Sequence, residues 1–496
     1  MIAVEKAANA AGLSYAEMMN RAGMAIAEIA NSQFAEPASA IAIVGKGKNG
    51  GDALIALKIL REHGWHCVAL LSESRDDNRV KDLEKVGGLI HVWDSVDRNA
   101  TSDLINDSVL LLDGLLGTGI KLPLREKEKK ILATLGAVLE DSSAKPKIIA
   151  IDCPSGMDSQ TGDMANEVIS ADITVSLAAV KEGMITFPAI ESLGQLVVAD
   201  IGIPAELKEW GVDERNVMDQ TLVSEWLPQR KAISHKGDYG KVLIVAGSEK
   251  YPGAALLAAK GAARSGAGLI TLLNHSDLDR NIAGQLPEAT WTTPRELRFG
   301  QPSLEESLGK YQALLIGPGL TLKSWNRLII EEVLAQNKLP PLVLDAYVLR
   351  HLTNLIRGFN NLPKNSVLTP HPGEFSAMTG ITKDDIQANR NEIAATFAKK
   401  WGHVIVLKGA LTVIAGPNDR LAVVPIASPA LASAGTGDVL AGIIVGLLAQ
   451  GLDPFKAASI GAWVHAQSAL LASEHYNSNR GILASDLLDY LPELLM

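Results

Sequence analysis

The feature that most constrains this chain is an alternation of short apolar runs with segments of helical periodicity, and the alternation occurs twice. It runs from residue 40 to about residue 215, gives way to a mixed stretch around residues 203–234, and restarts near residue 241. Short runs rich in β-branched residues predict strands, and the longer periodic segments between them predict helices. Such a chain buries both faces of a parallel sheet under helices, so we expect an α/β architecture in each half.

The length and the interruption together predict two domains. A chain of 496 residues exceeds one ordinary domain. The mixed stretch contains Pro204, Pro228 and several charges, which favours a junction there. We therefore expect a first domain at 1–215, a linker at 216–234 and a second domain at 235–496.

Composition excludes several classes of partner. Hydrophobic residues make up 47% of the chain and charged residues 21%, as in soluble globular proteins. The net charge of −10 would repel a nucleic-acid backbone. The two cysteines, Cys67 and Cys153, cannot form a disulfide framework, and they fit a reducing compartment. The apolar run at 439–452 is shorter than the ~20 residues that cross a bilayer, so it predicts a buried helix. With no signal-peptide pattern at the start, we expect a cytoplasmic protein without nucleic-acid or membrane partners.

In the first half, three candidate sites lie where predicted strands end, which is where parallel sheets bind ligands. The turn Gly45–Asp52 leads from a strand into a helix, so its Gly50 and Gly51 N–H groups could meet an anion. Asp113 and Asp152 each end a strand and precede a glycine turn. A lone aspartate there often only caps the turn, whereas two at equivalent strand ends favour a shared pocket.

In the second half, the stretch "ASAGTGDVLAG" at 432–442 carries the chemistry. Gly435, Thr436, Gly437 and Asp438 open the long apolar segment. Backbone N–H groups at such a helix start can stabilise a phosphoryl group in transfer, and the carboxylate can take a proton from an attacking hydroxyl. The alternative is an ordinary aspartate placed favourably in the helix dipole.

Four stretches of the first half, "GKGKNGGDAL", "LLDGLLGTG", "DCPSGMDSQTG" and "TVSLAAVKEG", resemble in order and spacing the NAD(P)H-hydrate epimerase family, the YjeF N-terminal domain. The resemblance covers roughly residues 5–215 and implies a Rossmann-like three-layer α/β/α domain. It implies a potassium ion held by Asn49, Asp113 and Ser155, and an acid–base carboxylate at Asp152. The residues that it implies for binding the hydrated dinucleotide are Lys48, Asn49, Gly50, Gly51, Asp52, Gly117, Thr118, Gly119, Ile120, Lys121, Leu122, Pro123 and Asp152.

The second half resembles the ADP- or ATP-dependent NAD(P)H-hydrate dehydratase family over about residues 235–492, through residues 235–268, "IGPGL", "LTPHPGE", "VLKG" and "GTGDVLAG". The resemblance implies a ribokinase-like α/β fold in which ADP, with Mg²⁺, phosphorylates the C6 hydroxyl of the (S)-hydrate before phosphate leaves. Asp438 would be the base. It would line the hydrate pocket together with Ala254, Gly319 and His371. The residues implied for the nucleotide are Lys408, Gly409, Ala410, Leu411, Thr412, Ser428, Pro429, Ala430, Leu431, Ala432, Ser433, Ala434, Gly435, Thr436 and Gly437.

The chain departs from both family patterns at identifiable positions. Lys48 replaces an asparagine and Ala53 a glycine in the first half. In the second half Tyr347 stands where the family has an acid, and residues 428–433 lack the usual asparagine and glycine.

Together the two resemblances imply a bifunctional repair enzyme that epimerises hydrated NADH and NADPH (NADHX and NADPHX) and dehydrates the (S) form. We also expect a homo-oligomer. One alternative is a ribokinase-like kinase of a small vitamin-precursor alcohol with a regulatory N-terminal domain. The other is a binding module without activity, which the presence of Asp152 together with Asn49, Asp113 and Ser155 disfavours.

Overall fold

A computed structural model describes residues 1–142, 144–211, 215–273, 284–321, 324–355, 359 and 362–496. The chain divides into two compact units, Met1–Val212 and Asp213–Met496. Within the described ranges, no helix has both the length and the apolar character needed to cross a bilayer.

The first unit is a parallel sheet between two layers of helices. Over its described residues the strands are β1 (Ser39–Val44), β2 (His66–Leu71), β3 (Leu89–Val92), β4 (Leu110–Gly114), β5 (Lys147–Ile151), β6 (Ile173–Leu177) and β7 (Gln195–Ala199). The helices are α1 (Ile2–Ala10), α2 (Tyr15–Ser32), α3 (Lys48–Glu62), α4 (Asn78–Lys85), α5 (Arg98–Asn106) and α6 (Glu126–Asp141). The strand order is β3-β2-β1-β4-β5-β6-β7, and every pairing is parallel.

Strand β1 shows why this sheet is covered on both sides. Its even-numbered Ala40, Ala42 and Val44 pack with residues of α2, α3 and α4, whereas Ile41 and Ile43 pack with residues of α5 and α6. Successive side chains of a strand point to opposite faces, so an uninterrupted apolar run needs helices on both. The predicted three-layer α/β/α architecture is confirmed.

The strand registers bring the candidate residues of the first unit to one edge. Ile43 pairs with Asp113 and Val44 with Gly114. Asp113 pairs in turn with Ala150, two residues before Asp152. The turn after β1, Asp113 and Asp152 therefore lie at the carboxyl ends of three adjacent strands, where parallel sheets bind ligands.

The second unit has a larger, mixed sheet. Its described strands are β8 (Arg215–Val217), β9 (Lys241–Val245), β10 (Leu269–Leu273), β11 (Thr290–Thr292), β12 (Ala313–Ile316), β13 (Leu342–Leu344), β14 (Val367–Leu368), β15 (Val404–Leu407), β16 (Val413–Ala415) and β17 (Leu421–Val423). The order is β11-β10-β9-β12-β13-β14-β15-β16-β17-β8. The described helices are α7 (Gln220–Trp226), α8 (Pro252–Arg264), α9 (Leu304–Leu308), α10 (Ser324–Leu334), α11 (Tyr347–Leu355), α12 (Pro372–Thr379), α13 (Lys383–Ala388), α14 (Arg390–Trp401), α15 (Thr436–Ala449), α16 (Pro454–Tyr476) and α17 (Leu487–Leu494).

The α/β architecture expected for the second half is confirmed, and its sheet is mixed at one edge. β16 pairs antiparallel with both β15 and β17. Parallel neighbours need a crossover of a dozen or more residues, and the connections between these short strands are too short for one. The chain therefore turns back on itself at this edge.

The stretch 216–234, expected as a linker, instead supplies part of the second unit. β8 pairs with β17, with Val217 opposite Val423. The Asp219 carboxylate caps α7 by accepting a hydrogen bond from the Leu222 N–H, and Met218 and Val223 are buried in the core of the unit. These apolar residues gain more from the core than an exposed linker would give them.

The apolar run after Asp438 forms the buried helix that it predicts, and glycines set how closely it packs. A Cβ at Gly442 would lie 2.1 Å from the Ala258 carbonyl oxygen, and one at Gly446 would lie 2.1 Å from Ser265 Oγ. α8 and α15 can approach this closely only because these positions lack side chains. We call this contact the α8–α15 seam.

Candidate active sites

The first unit contains a cavity of about 720 Å³ at the carboxyl edge of its sheet, within the size range of small-molecule sites. Most of the residues expected to bind the hydrate line it, namely Lys48, Asn49, Asp52, Gly117, Thr118, Gly119, Ile120, Lys121, Pro123 and Asp152. The structure thus brings the turn after β1, the turn after β4 and the end of β5 to one cavity.

Asp152 is held in this cavity by an ion pair. It follows β5 with a φ of 64°, which is uncommon for a residue with a side chain. Its Oδ1 accepts hydrogen bonds from Lys181 Nζ and from the Leu177 N–H, the latter at 3.1 Å. Both charged side chains are largely buried, 14% exposed for Asp152 and 9% for Lys181.

Asp52 supplies a second carboxyl group to the same cavity. It is buried in the first turns of α3. Burial raises its pKa well above the usual value, and the negative charge of Asp152 raises it further, against smaller opposing effects of Arg79 and Lys48. The cavity therefore contains one carboxyl group that favours its protonated form beside one that is ion-paired.

Asn49, Asp113 and Ser155 form a connected polar cluster beside the cavity. Asp113 Oδ2 accepts a hydrogen bond from the Ser155 N–H at 2.8 Å, and its Oδ1 accepts one from Ser155 Oγ. The Asn49 amide donates to the carbonyl oxygens of Leu116 and Ile151, at 2.7 and 2.9 Å. That orientation turns Asn49 Oδ1 away from those carbonyls and leaves it as an acceptor.

The buried Asp113 carboxylate has no ion pair with a lysine or arginine in the part of the chain that the structure describes. Burial raises its pKa, although its hydrogen bonds with Ser155 and Leu115 lower it. A buried carboxylate without a charged partner is costly. A cation bound by these oxygens would supply the missing charge.

At the start of α3, the Lys48 side chain is exposed, whereas Gly50 and Gly51 are closely packed. Lys48 Nζ lies 3.0 Å from Glu5 Oε2 and 4.8 Å from the centre of the Tyr15 ring, with the lysine side chain 68% exposed. A Cβ at Gly50 would lie 2.0 Å from the Gly45 carbonyl oxygen, and one at Gly51 would lie 2.9 Å from Met19 Sδ. Both glycines thus serve close packing, and the Gly51 N–H donates to Gly47 within the helix.

The second unit gathers charged side chains at the carboxyl ends of β13 and β15. Asp345 follows β13, Lys408 follows β15, and Lys408 Nζ donates to Asp345 Oδ1 at 2.7 Å. Thr369 Oγ1 donates to the same carboxylate oxygen, also at 2.7 Å. Burial alone would lower the pKa of Lys408, but the carboxylates of Asp345 and Glu374 raise it above its usual value.

Asp438 lies in the first turn of α15, directly after the glycine turn. Gly435 caps the helix with a φ of 93°, and the helical hydrogen bonds begin with the Val439 N–H donating to the Gly435 carbonyl. The N–H groups of residues 436–438 thus precede the helical ladder. A Cβ at Gly437 would lie 3.5 Å from Lys408 Nζ, so the ammonium group adjoins this turn.

The carboxyl group of Asp438 is strongly perturbed. Burial raises its pKa to about 7, the Asp345 carboxylate adds to the increase, and Lys408 opposes it. A base with a pKa near the working pH is well suited to accept and release a proton.

His371 acts in the structure as a helix cap. Its Nδ1 accepts hydrogen bonds from the Gly373 and Glu374 N–H groups, at 3.0 and 3.2 Å, and the Glu374 carboxylate accepts one from the His371 N–H. Burial lowers the pKa of His371, and Lys408 and Arg350 lower it further. The lowered pKa favours the neutral ring, whose Nε2 lies 3.4 Å from Glu374 Oε1, and the side chain as a whole is 45% exposed.

Ala254 and Gly319, the other residues expected in the hydrate pocket, lie against each other near the start of α8. A Cβ at Gly319 would lie 2.6 Å from that of Ala254 on α8, and one at Gly435 would lie 2.6 Å from Leu257 Cδ1, one turn further along α8. The start of α8 thus contacts both the GPG turn and the GTGD turn.

In the expected nucleotide stretches, the Ser428 Oγ is buried without a hydrogen-bond partner in the described structure. The Thr436 hydroxyl donates to the carbonyl oxygens of Leu431 and Ser433, each at 3.0 Å. Arg390 holds the strand end before Gly409 by donating to the Leu407 carbonyl at 2.8 Å.

Sequence reasoning did not assign a role to Lys181, Asp345 or Glu374. Lys181 lies within the quoted "TVSLAAVKEG" stretch. Asp345 ends the strand "PLVLDA" as Asp113 and Asp152 end theirs, and this position at a strand end is the sequence signal that identifies it.

Two family models match this chain. The YjeF-related protein N-terminus matches residues 15–183, and NAD(P)H-hydrate dehydratase matches residues 242–493.

Named relatives match one or both units. The bifunctional NAD(P)H-hydrate repair enzyme Nnr of Moorella thermoacetica is 34% identical over 495 residues, which cover 96% of this chain and 92% of the relative. A crystal structure of the ADP/ATP-dependent NAD(P)H-hydrate dehydratase from Bacillus subtilis, co-crystallized with ATP/Mg²⁺, matches with a TM-score of 0.50 and 37% identity over 56% of this chain and 97% of that one. A ribokinase-like superfamily protein from Enterococcus faecalis matches with a TM-score of 0.51 and 25% identity over 57% of this chain and 95% of that one.

Proposed function

The chain belongs to the family of bifunctional NAD(P)H-hydrate repair enzymes, and from that premise we propose how its two units divide the chemistry. It is an NAD(P)H-hydrate epimerase and dehydratase, with hydrated NADH or NADPH and an adenine nucleotide as small-molecule substrates. The second unit has the ribokinase-like fold. The assignment of individual residues to the two reactions is our proposal.

We propose that the first unit interconverts the epimers in the 720 Å³ cavity, with Asp152 as the base. C6 of the hydrate carries both a hydroxyl and the ring nitrogen. Such a carbon inverts when the hydroxyl loses its proton, the bond to nitrogen opens to an aldehyde, and the ring closes on the other face. Asp152 would take that proton and return it, so that no proton is consumed overall.

The protonated form of Asp52 would complement this base. It can donate a hydrogen bond or a proton to the ring nitrogen as the bond to C6 opens, and recover it as the ring closes. The loop of residues 117–123 would bind the phosphates, helped by the positive charge of Lys121.

We propose that the cluster of Asn49, Asp113 and Ser155 binds K⁺. Amide, carboxylate and hydroxyl oxygens are hard donors that suit a hard cation, and Asp113 lacks a charged partner among the described residues. The ion would neutralise Asp113 and attract the anionic dinucleotide. The protein's own part is to hold these oxygens by the bonds from Ser155 and the carbonyls that orient Asn49.

We propose that the second unit dehydrates the (S)-hydrate by phosphoryl transfer. Asp438 would accept the proton of the C6 hydroxyl as its oxygen attacks the terminal phosphorus of ADP, releasing AMP. The N–H groups of residues 436–438 and the Lys408 ammonium would stabilise the charge on the moving phosphoryl group. Phosphate then leaves C6 as the ring nitrogen supplies its electron pair, and loss of a ring proton restores the dihydronicotinamide. Mg²⁺ would enter with the nucleotide, and the donor identity, ADP or ATP, belongs to this proposal.

The observation that carries the proposal for the second unit is the position of Asp438. Its pKa is near 7, and it lies at the start of a helix whose first N–H groups have no acceptor within the helix.

The combination of the two units in one chain also has a chemical purpose. A dehydratase that accepts one epimer repairs the whole pool only if an epimerase supplies it.

The test uses the intact protein with a mixture of both NADHX epimers, ADP, Mg²⁺ and K⁺, followed by NADH absorbance. We expect complete recovery of NADH with stoichiometric AMP and phosphate. Without ADP, NADH should not be recovered, but an unequal mixture of the two epimers should still move to its equilibrium ratio, which chromatographic separation of the epimers measures. Replacing K⁺ with Li⁺ should slow only this epimerisation. Phosphorylated hydrate that accumulates without elimination would instead indicate a kinase, and recovery of only the (S) fraction would contradict the role of the first unit. Homo-oligomer formation stays a prediction.

A further inference from the structure

Lys181 contacts Asp152, the proposed base of the first unit, but has no role in the chemistry proposed above. Its ammonium group donates to Asp152 Oδ1, to Ser176 Oγ at 3.0 Å and to the Leu177 carbonyl at 3.0 Å. The side chain is 9% exposed and lines the cavity. A buried lysine at a ligand cavity is costly unless its charge has a partner.

The hydrogen-bond count decides which kind of role Lys181 can have. A lysine ammonium has three donors, and all three have acceptors within the first unit. None is left to bind the substrate. Lys181 therefore acts through Asp152.

The same count separates the two oxygens of Asp152. Oδ1 accepts from both Lys181 and the Leu177 N–H. Oδ2 has no hydrogen-bond donor from the described part of the chain, and the residue lines the cavity. Oδ2 is thus the oxygen that has no protein donor and is left to accept from a substrate hydroxyl.

We propose that Lys181 is a positioning residue of the epimerase unit, which fixes Asp152 by one oxygen and supplies its countercharge so that the other oxygen takes the proton from C6–OH. This inference rests on the proposed role of Asp152 in epimerisation. Ser176 and Leu177 at the end of β6 hold the ammonium group, so the position of the base depends on a strand next to its own. Asp52 on α3, which lines the same cavity, is a second titratable group whose charge interacts with that of Asp152, and it is not positively charged.

The experiment measures epimerisation by Lys181→Met, which keeps the length of the side chain and removes its charge. We expect kcat to fall roughly 10²-fold, the lower range of an acid–base contribution, while KM stays unchanged because no donor of Lys181 touches substrate. Lys181→Arg should recover part of the loss. Lys58→Met is the matched control, since Lys58 also forms an ion pair in this unit, 2.7 Å from Glu62 on the same helix, outside the cavity lining.

A double-mutant cycle separates positioning from general structural support. If Lys181 acts through Asp152, adding Lys181→Met to Asp152→Asn costs nothing further, whereas a purely structural loss would multiply. Dehydration of pure (S)-NADHX by the second unit and thermal unfolding of the first check that the variants fold. A wild-type kcat in Lys181→Met, or multiplicative losses in the double variant, overturns the inference. Absence of epimerisation in the unmodified protein would overturn the proposed function instead.

Discussion

The two units each present an aspartate next to a glycine turn, but they treat its charge in opposite ways. Asp152 has its own cation, because Lys181 donates directly to it. Asp438 does not have one in the described structure, because the nearby Lys408 is bound to Asp345 instead. The pKa of Asp438 accordingly rises to about 7, through burial and the charge of Asp345. An ion pair orients a base, whereas an unpaired buried carboxyl group binds its proton more tightly.

The largest effect should come from removing the unpaired base. Asp438→Asn keeps the shape of the side chain but cannot accept the hydroxyl proton, so we expect dehydration of (S)-NADHX to fall roughly 10³-fold or more. NADH absorbance measures it. Epimerisation by the same variant is the internal control, and dehydration at the wild-type rate would refute the role of Asp438.

The reciprocal change tests the ion-paired base. Asp152→Asn should slow epimerisation about 10²-fold or more while dehydration of pure (S)-NADHX continues normally. With mixed epimers, recovery of NADH should show a rapid phase and then a slow one. A single rapid phase to completion would show that Asp152 is dispensable.

A smaller effect is expected on the pH dependence of dehydration, which reports the pKa of Asp438. Because Asp438 must be ionised to act as a base, kcat/KM for dehydration should rise with pH through about 7 and level off above it. Asp345→Asn removes a negative charge and releases Lys408 toward Asp438. Both changes lower the pKa of Asp438, so the rise should move to lower pH. A pH–rate profile over pH 5–9 at fixed ionic strength, with thermal unfolding as the folding check, would contradict this if the midpoint stayed in place or moved upward.

The smallest effect concerns the helix that carries Asp438. Gly435→Ala places a side chain at a φ of 93° and 2.6 Å from Leu257 Cδ1. Gly451→Ala, just beyond the other end of the same helix, has a similar φ of 88° but no heavy atom within 4 Å. We expect about 1–2 kcal/mol of lost stability from the backbone strain at either position, and a further loss only at Gly435. Chemical denaturation of the protein measures both, and equal losses would exclude the contact with Leu257.

The sequence predicts the elements that local patterns define. The periodicity of "AIAIVG" and of the helix after it is confirmed as β1 and α3, and the apolar run after Asp438 is the buried helix α15. The cavity is also lined by Asn49, Asp52 and Asp152, which the resemblance to the epimerase family implies as binding residues.

What the sequence did not predict depends on contacts between distant segments. Lys181 reaches Asp152 across 29 positions, and Lys408 reaches Asp345 across 63. The sequence of either segment alone does not indicate which carboxylate the lysine will pair with, because the order of the strands in the sheet determines which segments are neighbours. β8 was not predicted for a different reason, because a strand of three residues has no periodicity to detect.

The α8–α15 seam limits where the second unit can change. Because backbone meets backbone at Gly442, side-chain variation at this position would force the helices apart and displace Asp438. Few substitutions in the seam can therefore be tolerated, so we do not expect substrate specificity to be altered there by selection or by design. Residues 428–433, where the chain lacks the usual asparagine and glycine, lie outside this seam, and we expect variation that alters the choice of nucleotide to occur in such loops.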